Sequence, residues 1–185
     1  PASLSRYLLF EYVPAPYCLI KDVRKLEAGC LLSFKNGRVA HERYWDIGFQ
    51  PSTSFTCEHE AAAGLKQNLR SAVERHLESD VPLGVFLSGG IDSSALVAFM
   101  SELRPAHDIK TFCIGFEESS FDESAQARRV ARHFGTDHHE QILNPGKMIE
   151  ILPEIWRFMD EPLADASIIP TYLLSKFTRQ HVKVA

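Results

Sequence analysis

Cysteine is scarce: Cys18, Cys30, Cys57 and Cys113 are the only four in 185 residues. They stand far apart, with no Cys-x-x-Cys pair and no histidine pair at zinc spacing. So few scattered thiols do not make a stapled secreted scaffold, and reduced thiols in a cytoplasmic setting are expected. No apolar run approaches the roughly 20 residues that a membrane-spanning helix needs. The first residues, Pro1-Ala2-Ser3-Leu4-Ser5-Arg6-Tyr7, also lack the basic-then-apolar order of a secretory signal. No membrane partner is therefore expected. Strong charge of one sign is missing too: a net charge of −4 argues against a nucleic-acid-binding surface. There is no internal repeat and no low-complexity stretch. What is present is ordinary for a globular protein, 45% apolar and 24% charged residues, enough to bury a core in one domain or one domain plus a fragment.

The first 46 residues read differently from the rest. Leu4 to Tyr12 has the pattern of a short helix stopped by Val13-Pro14-Ala15-Pro16. Two strand-like runs, Gly29–Phe34 and Arg38–Tyr44, flank Asn36-Gly37. That dipeptide tolerates positive φ at both turn positions and predicts a β-hairpin. Pro51, Ser52, Thr53 and Ser54 give residues 47–56 the chemistry of a linker. Beyond it, Ala61, Leu65, Leu69, Ala72, Val73 and Leu77 recur at helical spacing. Strands are expected over Pro82–Leu87, Lys110–Phe116 and His138–Leu143, and a further one begins at Val182–Ala185. Helices are expected from Ala95 to Leu103, from Asp122 to Gly135, over 146–159 and over 171–180, with Ser120-Phe121-Asp122-Glu123 as a capping box. Strands alternating with helices imply βαβ units and a largely parallel α/β sheet.

The segment Ser88-Gly89-Gly90-Ile91-Asp92-Ser93-Ser94 joins the first of those strands to the helix that follows. A glycine-bearing turn opening a helix presents a concave set of N–H groups, which is a phosphate site in waiting. A Walker loop has a longer spacer and a Lys before Ser/Thr; this loop has neither. It carries Asp92 instead, and a carboxylate beside phosphate makes sense when a divalent cation stands between them. The plainer reading is a glycine turn with Asp92 as a helix cap, since Asp and Ser are favoured there anyway.

The loop resembles the PP-loop of the ATP pyrophosphatases, which cleave ATP between the α- and β-phosphates. The longer series is more specific. Val81 to Ser94, Thr111-Phe112-Cys113-Ile114-Gly115-Phe116, Phe121-Asp122-Glu123, His133-Phe134-Gly135-Thr136, His138-His139-Glu140, Asp160-Glu161-Pro162 and Ile169-Pro170-Thr171-Tyr172 follow one another in order. That order is similar to the synthetase domain of glutamine-dependent asparagine synthetases. Upstream, Tyr12-Val13-Pro14-Ala15-Pro16, Arg24-Lys25-Leu26, Gly29 and Glu42-Arg43-Tyr44-Trp45-Asp46 resemble the last part of that family's glutaminase domain. The loop alone is shared with GMP, NAD and β-lactam synthetases.

The resemblance implies an adenine nucleotide alpha hydrolase-like α/β domain over 57–185, a linker over 47–56, and over 1–46 a hairpin remnant of an N-terminal nucleophile glutaminase domain. It implies ATP and Mg²⁺ as cofactors, with Phe86 and Leu87 beside the adenine and Ile114 offering backbone to it. Ser88, Gly89, Gly90, Ser93 and Ser94 would hold the leaving pyrophosphate, Ile91 lies within the same loop, and Asp92 would be the catalytic Mg²⁺ ligand. The implied reaction is adenylation of a carboxylate, aspartate in the family, followed by amidation with glutamine-derived ammonia. Another carboxylate, such as a sugar uronate or a β-lactam precursor, and a non-catalytic nucleotide-binding module remain open, and a homodimer is a candidate assembly. Two family features are missing: a Cys-Gly-Ile start for the glutaminase, and the Ser-Gly-x-Gly-x-Asp-Glu motif after Val182–Ala185 with the lysines beyond it. The chain thus reads as a fragment carrying half a synthetase site and no working glutaminase.

Three further groups have bland expectations. His138 and His139 are adjacent on a strand and face opposite ways, which favours packing over a shared metal. Asp160, Glu161 and Asp165 offer an acidic cluster, set by the family resemblance near the acid-substrate pocket, or simply a capped loop around Pro162. Arg128, Arg129 and Arg132 are expected on the solvated face of their helix.

Overall fold

Asn36-Gly37 turns the chain as its chemistry predicts, with φ of 52° and 75° at the two residues. The strands on either side, β1 (Cys30–Lys35) and β2 (Arg38–Arg43), pair antiparallel from Lys35 opposite Arg38 to Cys30 opposite Arg43. The structure is a computed structural model that describes residues 2–49, 55–117 and 122–185. The linker residues Pro51 to Ser54 and the Ser120-Phe121 half of the expected capping box lie outside the described residues. Two units are distinguished: Pro1–Thr53 with Arg157–Ala166, and Ser54–Trp156 with Ser167–Ala185.

In the first unit, the opening helix α1 runs over Ala2–Phe10, two residues earlier than its expected Leu4–Tyr12 span. It stops before the prolines because Glu11 takes a left-handed φ of 65° while its N–H still donates to the Tyr7 carbonyl at 2.8 Å. Of the two hairpin strands, only Cys30 is buried. Glu161, for which the sequence leaves both an acidic cluster and a capped loop open, is half-buried among groups from the segment following α1. Its carboxylate accepts the Leu19 N–H at 2.9 Å and pairs with the Lys25 ammonium, which also donates to the Val13 carbonyl at 2.6 Å. Among the described residues, Asp160, Glu161 and Asp165 do not converge on one point as metal ligands would.

The Cys18 thiol and then Lys25 hold the Glu161 carboxyl down at about 2. A carboxyl depressed in the fold contributes stability above its ordinary value of 4.5 and loses it as pH falls through the folded value. The stability advantage of the parent over Glu161→Gln should therefore be present at neutral pH and decay between about pH 4.5 and pH 2. Acid-titrated denaturation of both proteins measures this, and a pH-independent difference would contradict it.

The second unit begins with α2 (Glu58–His76), whose Val73 packs with Leu77, Met100 and Ile109. Three parallel strands follow in the order β3 (Gly84–Phe86), β4 (Lys110–Phe116) and β5 (Asp137–Leu143). Between them run α3 (Ile91–Leu103) and α4 (Ser124–Phe134), so the expected βαβ alternation is present. Gly135, at φ 75°, closes α4 with its N–H on the Ala131 carbonyl. Alternation along β4 divides the core. Cys113 joins Leu87, Val97, Ala127 and Ala131 on the face covered by α3 and α4. Phe112 turns the other way and meets the rings of His139, Phe177 and His181.

Three expectations change in the last third. A single helix over 146–159 gives way to α5 (Pro145–Glu150), α6 (Leu152–Ile155) and a 3₁₀ turn at Trp156–Phe158. Pro153 has no N–H to donate and clashes in a helix interior, so the helix restarts with that residue in its first turn. The last helix, α7 (Ile168–Thr178), starts three residues before the expected 171. Pro170 is tolerated there because first-turn N–H groups have no helical partner. The expected strand at Val182–Ala185 is reduced to one parallel bridge between Leu83 and Val184, with Gly84 N–H donating to the Val184 carbonyl at 2.8 Å. Among the described residues, no helix is long and apolar enough to cross a membrane.

Candidate functional site

The strand-to-helix turn after β3 is held by its own hydroxyls. Leu87, buried, donates its N–H to the Phe112 carbonyl at 2.8 Å and so ends the strand beside β4. The chain then turns through Gly89 (φ 83°) into Gly90, which caps α3 without any side-chain hydrogen bond. The Ser88 and Ser93 hydroxyl oxygens lie 3.0 Å apart. Ser88 Oγ accepts the Gly90 N–H at 3.2 Å, and Ser93 Oγ accepts the Ser88 N–H at 3.3 Å. Asp92 sits in the first turn of α3, exposed, where the positive end of the helix dipole favours a carboxylate. The capping role open to it from sequence belongs to Gly90 instead. Ser94 Oγ is buried without a hydrogen-bond partner.

Gly89 has a second reason for being glycine. A Cβ there would come within 2.6 Å of the Ala127 nitrogen and of Gln126, at the start of α4. Backbone cannot yield as a flexible side chain can, and the positive φ adds strain for any other residue. Gly89→Ala should push the loop off α4 and cost about 1–3 kcal/mol of stability, more than Gly90→Ala, whose Cβ meets only Ser88 Oγ at 3.3 Å. Thermal melts of both variants test the ranking.

A cavity of about 380 Å³ opens at the carboxyl ends of β3 and β4. Ligands of doubly wound sheets bind in that position. Of the residues expected from sequence, Phe86, Leu87, Ser88, Ser93 and Ile114 line it. Gly89, Gly90, Ile91, Asp92 and Ser94 belong to the loop and first helical turn alongside, outside the lining itself; Ile91 is 88% exposed. Sequence reasoning missed Cys113, Phe116 and Glu123 on one side and Pro170, Thr171 and Leu174 on another. The i, i+4 spacing of Pro170 and Leu174 was a usable signal, since it places both on one face of α7.

Asp122 precedes the lining residue Glu123 in the chain. Its carboxylate accepts Ser124 N–H at 3.1 Å, Ser124 Oγ–H at 3.0 Å and Phe116 N–H at 3.3 Å, and these bonds, Ser124's first, lower its pKa. Burial, helped by the negative charges of Glu140, Asp122 and Glu123, pushes the Cys113 thiol up to about 12. The thiol in the cavity wall therefore stays protonated and unreactive at neutral pH.

The neighbouring histidines follow strand alternation. His138 Nδ1 lies 2.8 Å from the Thr111 hydroxyl, while His139 stacks on Phe112 at 5.1 Å on the opposite face. Burial lowers the pKa of His138. Arg128, its side chain 43% exposed on the solvated face as expected, also grips Glu140 with two bonds, at 3.1 and 2.7 Å. Arg129 and Arg132 are exposed as expected.

These features define an α/β unit with a hydroxyl- and glycine-lined turn facing a cavity at the strand ends. The chain belongs to the asparagine synthase family, whose profile matches residues 64–185. It is 36% identical over 99% of its length to asparagine synthetase [glutamine-hydrolyzing] 1 of Bacillus subtilis. It is 32% identical over 98% of its length to a putative asparagine synthetase [glutamine-hydrolyzing] 2 of Methanocaldococcus jannaschii. It spans 28% and 35% of the length of these two relatives. Amidase chyE of Penicillium rubens matches 63% of the chain at 34% identity, 20% of that protein being covered. Among solved structures, a glutamine-dependent NAD⁺ synthetase from Acinetobacter baumannii in complex with ADP overlaps 76% of this chain and 26% of its own. Its TM-score is 0.44 and its identity 20%.

Proposed function

We propose that this chain forms the nucleotide half of a synthetase site, in which Mg²⁺-ATP adenylates a carboxylate that ammonia then converts to an amide. The carrying observation is the placement of the Ser88–Ser94 turn against the cavity at the ends of β3 and β4. The donor set fits a cation-bound polyphosphate: an exposed carboxylate at Asp92, two adjoining hydroxyls at Ser88 and Ser93, and an unpartnered buried hydroxyl at Ser94. When bound, Mg²⁺ would neutralise charge on the departing pyrophosphate.

The chain's own residues have separable tasks. Ser88, Ser93 and the N–H groups from Gly89 onward bind the β- and γ-phosphates at the positive end of α3. Asp92 would hold the cation. Phe86, Leu87 and Ile114, with Pro170 and Leu174 from α7, supply an apolar slot for the base. A carboxylate oxygen of the acid attacks the α-phosphorus, and the bond to the β-phosphate breaks. Ammonia then attacks the acyl carbon, loses a proton, and AMP leaves.

In this reading residues 1–46 close a glutaminase domain, 47–56 link, and 57–185 open the synthetase domain. The acid proposed is aspartate and the ammonia source glutamine, by analogy with the relatives named asparagine synthetases. The match to a fungal amidase favours testing other carboxylates as well. Product analysis on the intact gene product decides the chemistry. AMP and pyrophosphate are expected with aspartate; ADP and phosphate would overturn the mechanism, and turnover with a different acid in a carboxylate panel would reassign the substrate.

A further inference from the structure

We propose that Glu27, Cys30 and His41 form a transition-metal site on the hairpin, with Zn²⁺ as the fitting ion. Among the described residues these are the one group of three or more metal-capable side chains whose donor atoms all lie within 4.8 Å of one another. The backbone explains the convergence. Cys30 is opposite Arg43 and His41 opposite Leu32, so Cys30 and His41 are diagonal neighbours on the same face of the ribbon. Glu27 is brought in by the turn at Gly29, whose carbonyl accepts the N–H groups of Tyr44 and Trp45 at 2.9 and 3.2 Å. Both strands and the segment before them thus contribute one donor set held by main-chain bonds.

The donors themselves select the ion. One thiolate sulfur, one imidazole nitrogen and one carboxylate oxygen suit zinc and its neighbours, while Mg²⁺ and Ca²⁺ take oxygen shells. Zinc bond lengths put tetrahedral donors about 3.3–3.6 Å apart, so donor atoms already within 4.8 Å of one another have a short gap to close by side-chain rotation. His41 is exposed and can make that rotation, and Cys30 is a buried, free thiol. Three protein ligands with an exposed edge leave a fourth position for water. Arg43 opposes the ion, since its guanidinium lies 3.4 Å from Glu27 Oε2. The same group also reaches Asp46 Oδ2 and the Ala28 carbonyl, each at 3.4 Å, and keeps those partners when Glu27 turns to the metal. The site is a clip that ties the segment before β1 to both strands, independent of the loop at Ser88–Ser94.

Equilibrium dialysis of the full protein with Zn²⁺ alone should find one site. Cys30→Ser and His41→Ala should each weaken it more than about tenfold, while Asp92→Asn leaves it unchanged. Co²⁺ in place of zinc should give a thiolate-to-metal charge-transfer band that Cys30→Ser removes. If Cys30→Ser does not fold, the exposed His41→Ala variant and the cobalt band of the parent carry the test. Zinc bound equally by parent and His41→Ala, or cobalt bound with no thiolate band, overturns the assignment.

Discussion

Asp92→Asn should weaken Mg²⁺-ATP binding about 100-fold, some 2.7 kcal/mol, while leaving the melting curve of the protein unchanged. The two halves of this result have separate causes. Asp92 is exposed and caps nothing, so the fold has little use for its charge beyond a weak interaction with the dipole of α3. A neutral amide, however, is a poor ligand for a hard dication, and phosphate then faces the loop without its charge partner. Calorimetry with ATP in excess Mg²⁺ measures the loss in the intact gene product. Unchanged affinity would remove Asp92 from the site and with it the reading of the loop. A drop in melting temperature together with affinity would point to a structural role.

Phe112→Ala should have the largest effect on stability, about 3–5 kcal/mol, a large share of the 5–15 kcal/mol that holds a typical domain together. Phe112, the third residue of β4, is fully buried and is the largest such side chain in the described core. It touches three rings, stacking on His139 at 5.1 Å and meeting His181 at 5.6 Å and Phe177 edge-on at 6.0 Å. Removing it would leave a void between the sheet and α7, the helix that supplies Pro170, Thr171 and Leu174 to the cavity. Nucleotide affinity should fall with stability in this variant, the opposite pattern to Asp92→Asn. Phe112→Leu, which refills most of the volume, should recover more than half of the loss. Denaturant unfolding of the pair provides the test, and a difference under 1 kcal/mol for the Ala variant would show that the ring cluster does not anchor α7.

Where the physics was local, the sequence was easy to read. Asn36-Gly37 specified its turn because few other residues accept left-handed φ twice in a row. Gly135 ended α4 for a related reason. Hydrophobic spacing located α2, α3 and the three parallel strands within a few residues. The single helix expected over 146–159 breaks at Pro153, whose missing N–H is itself a local fact. The pairing of Arg128 is not legible for a different reason: its carboxylate partner, Glu140, stands on the next element, and charge on a helix face says nothing about what lies across from it.

The candidate site divides along the same line. The turn residues Ser88 to Ser94 are legible from chain order, since such a turn makes its concave backbone out of consecutive residues, whereas Phe86, Leu87 and Ile114 are named through the family resemblance. The amino-acid order also determined the hairpin, the alternation of strands with helices and the opposite facing of His138 and His139, all of which follow from steric preferences a few residues long. Tertiary structure alone decided that α7 closes the cavity with Pro170 and Leu174, that Glu161 pairs with Lys25, and that Glu27 meets Cys30 and His41. Those contacts depend on how separate elements pack, and packing is set by shape and burial summed over the whole fold, a quantity that no short stretch of sequence contains.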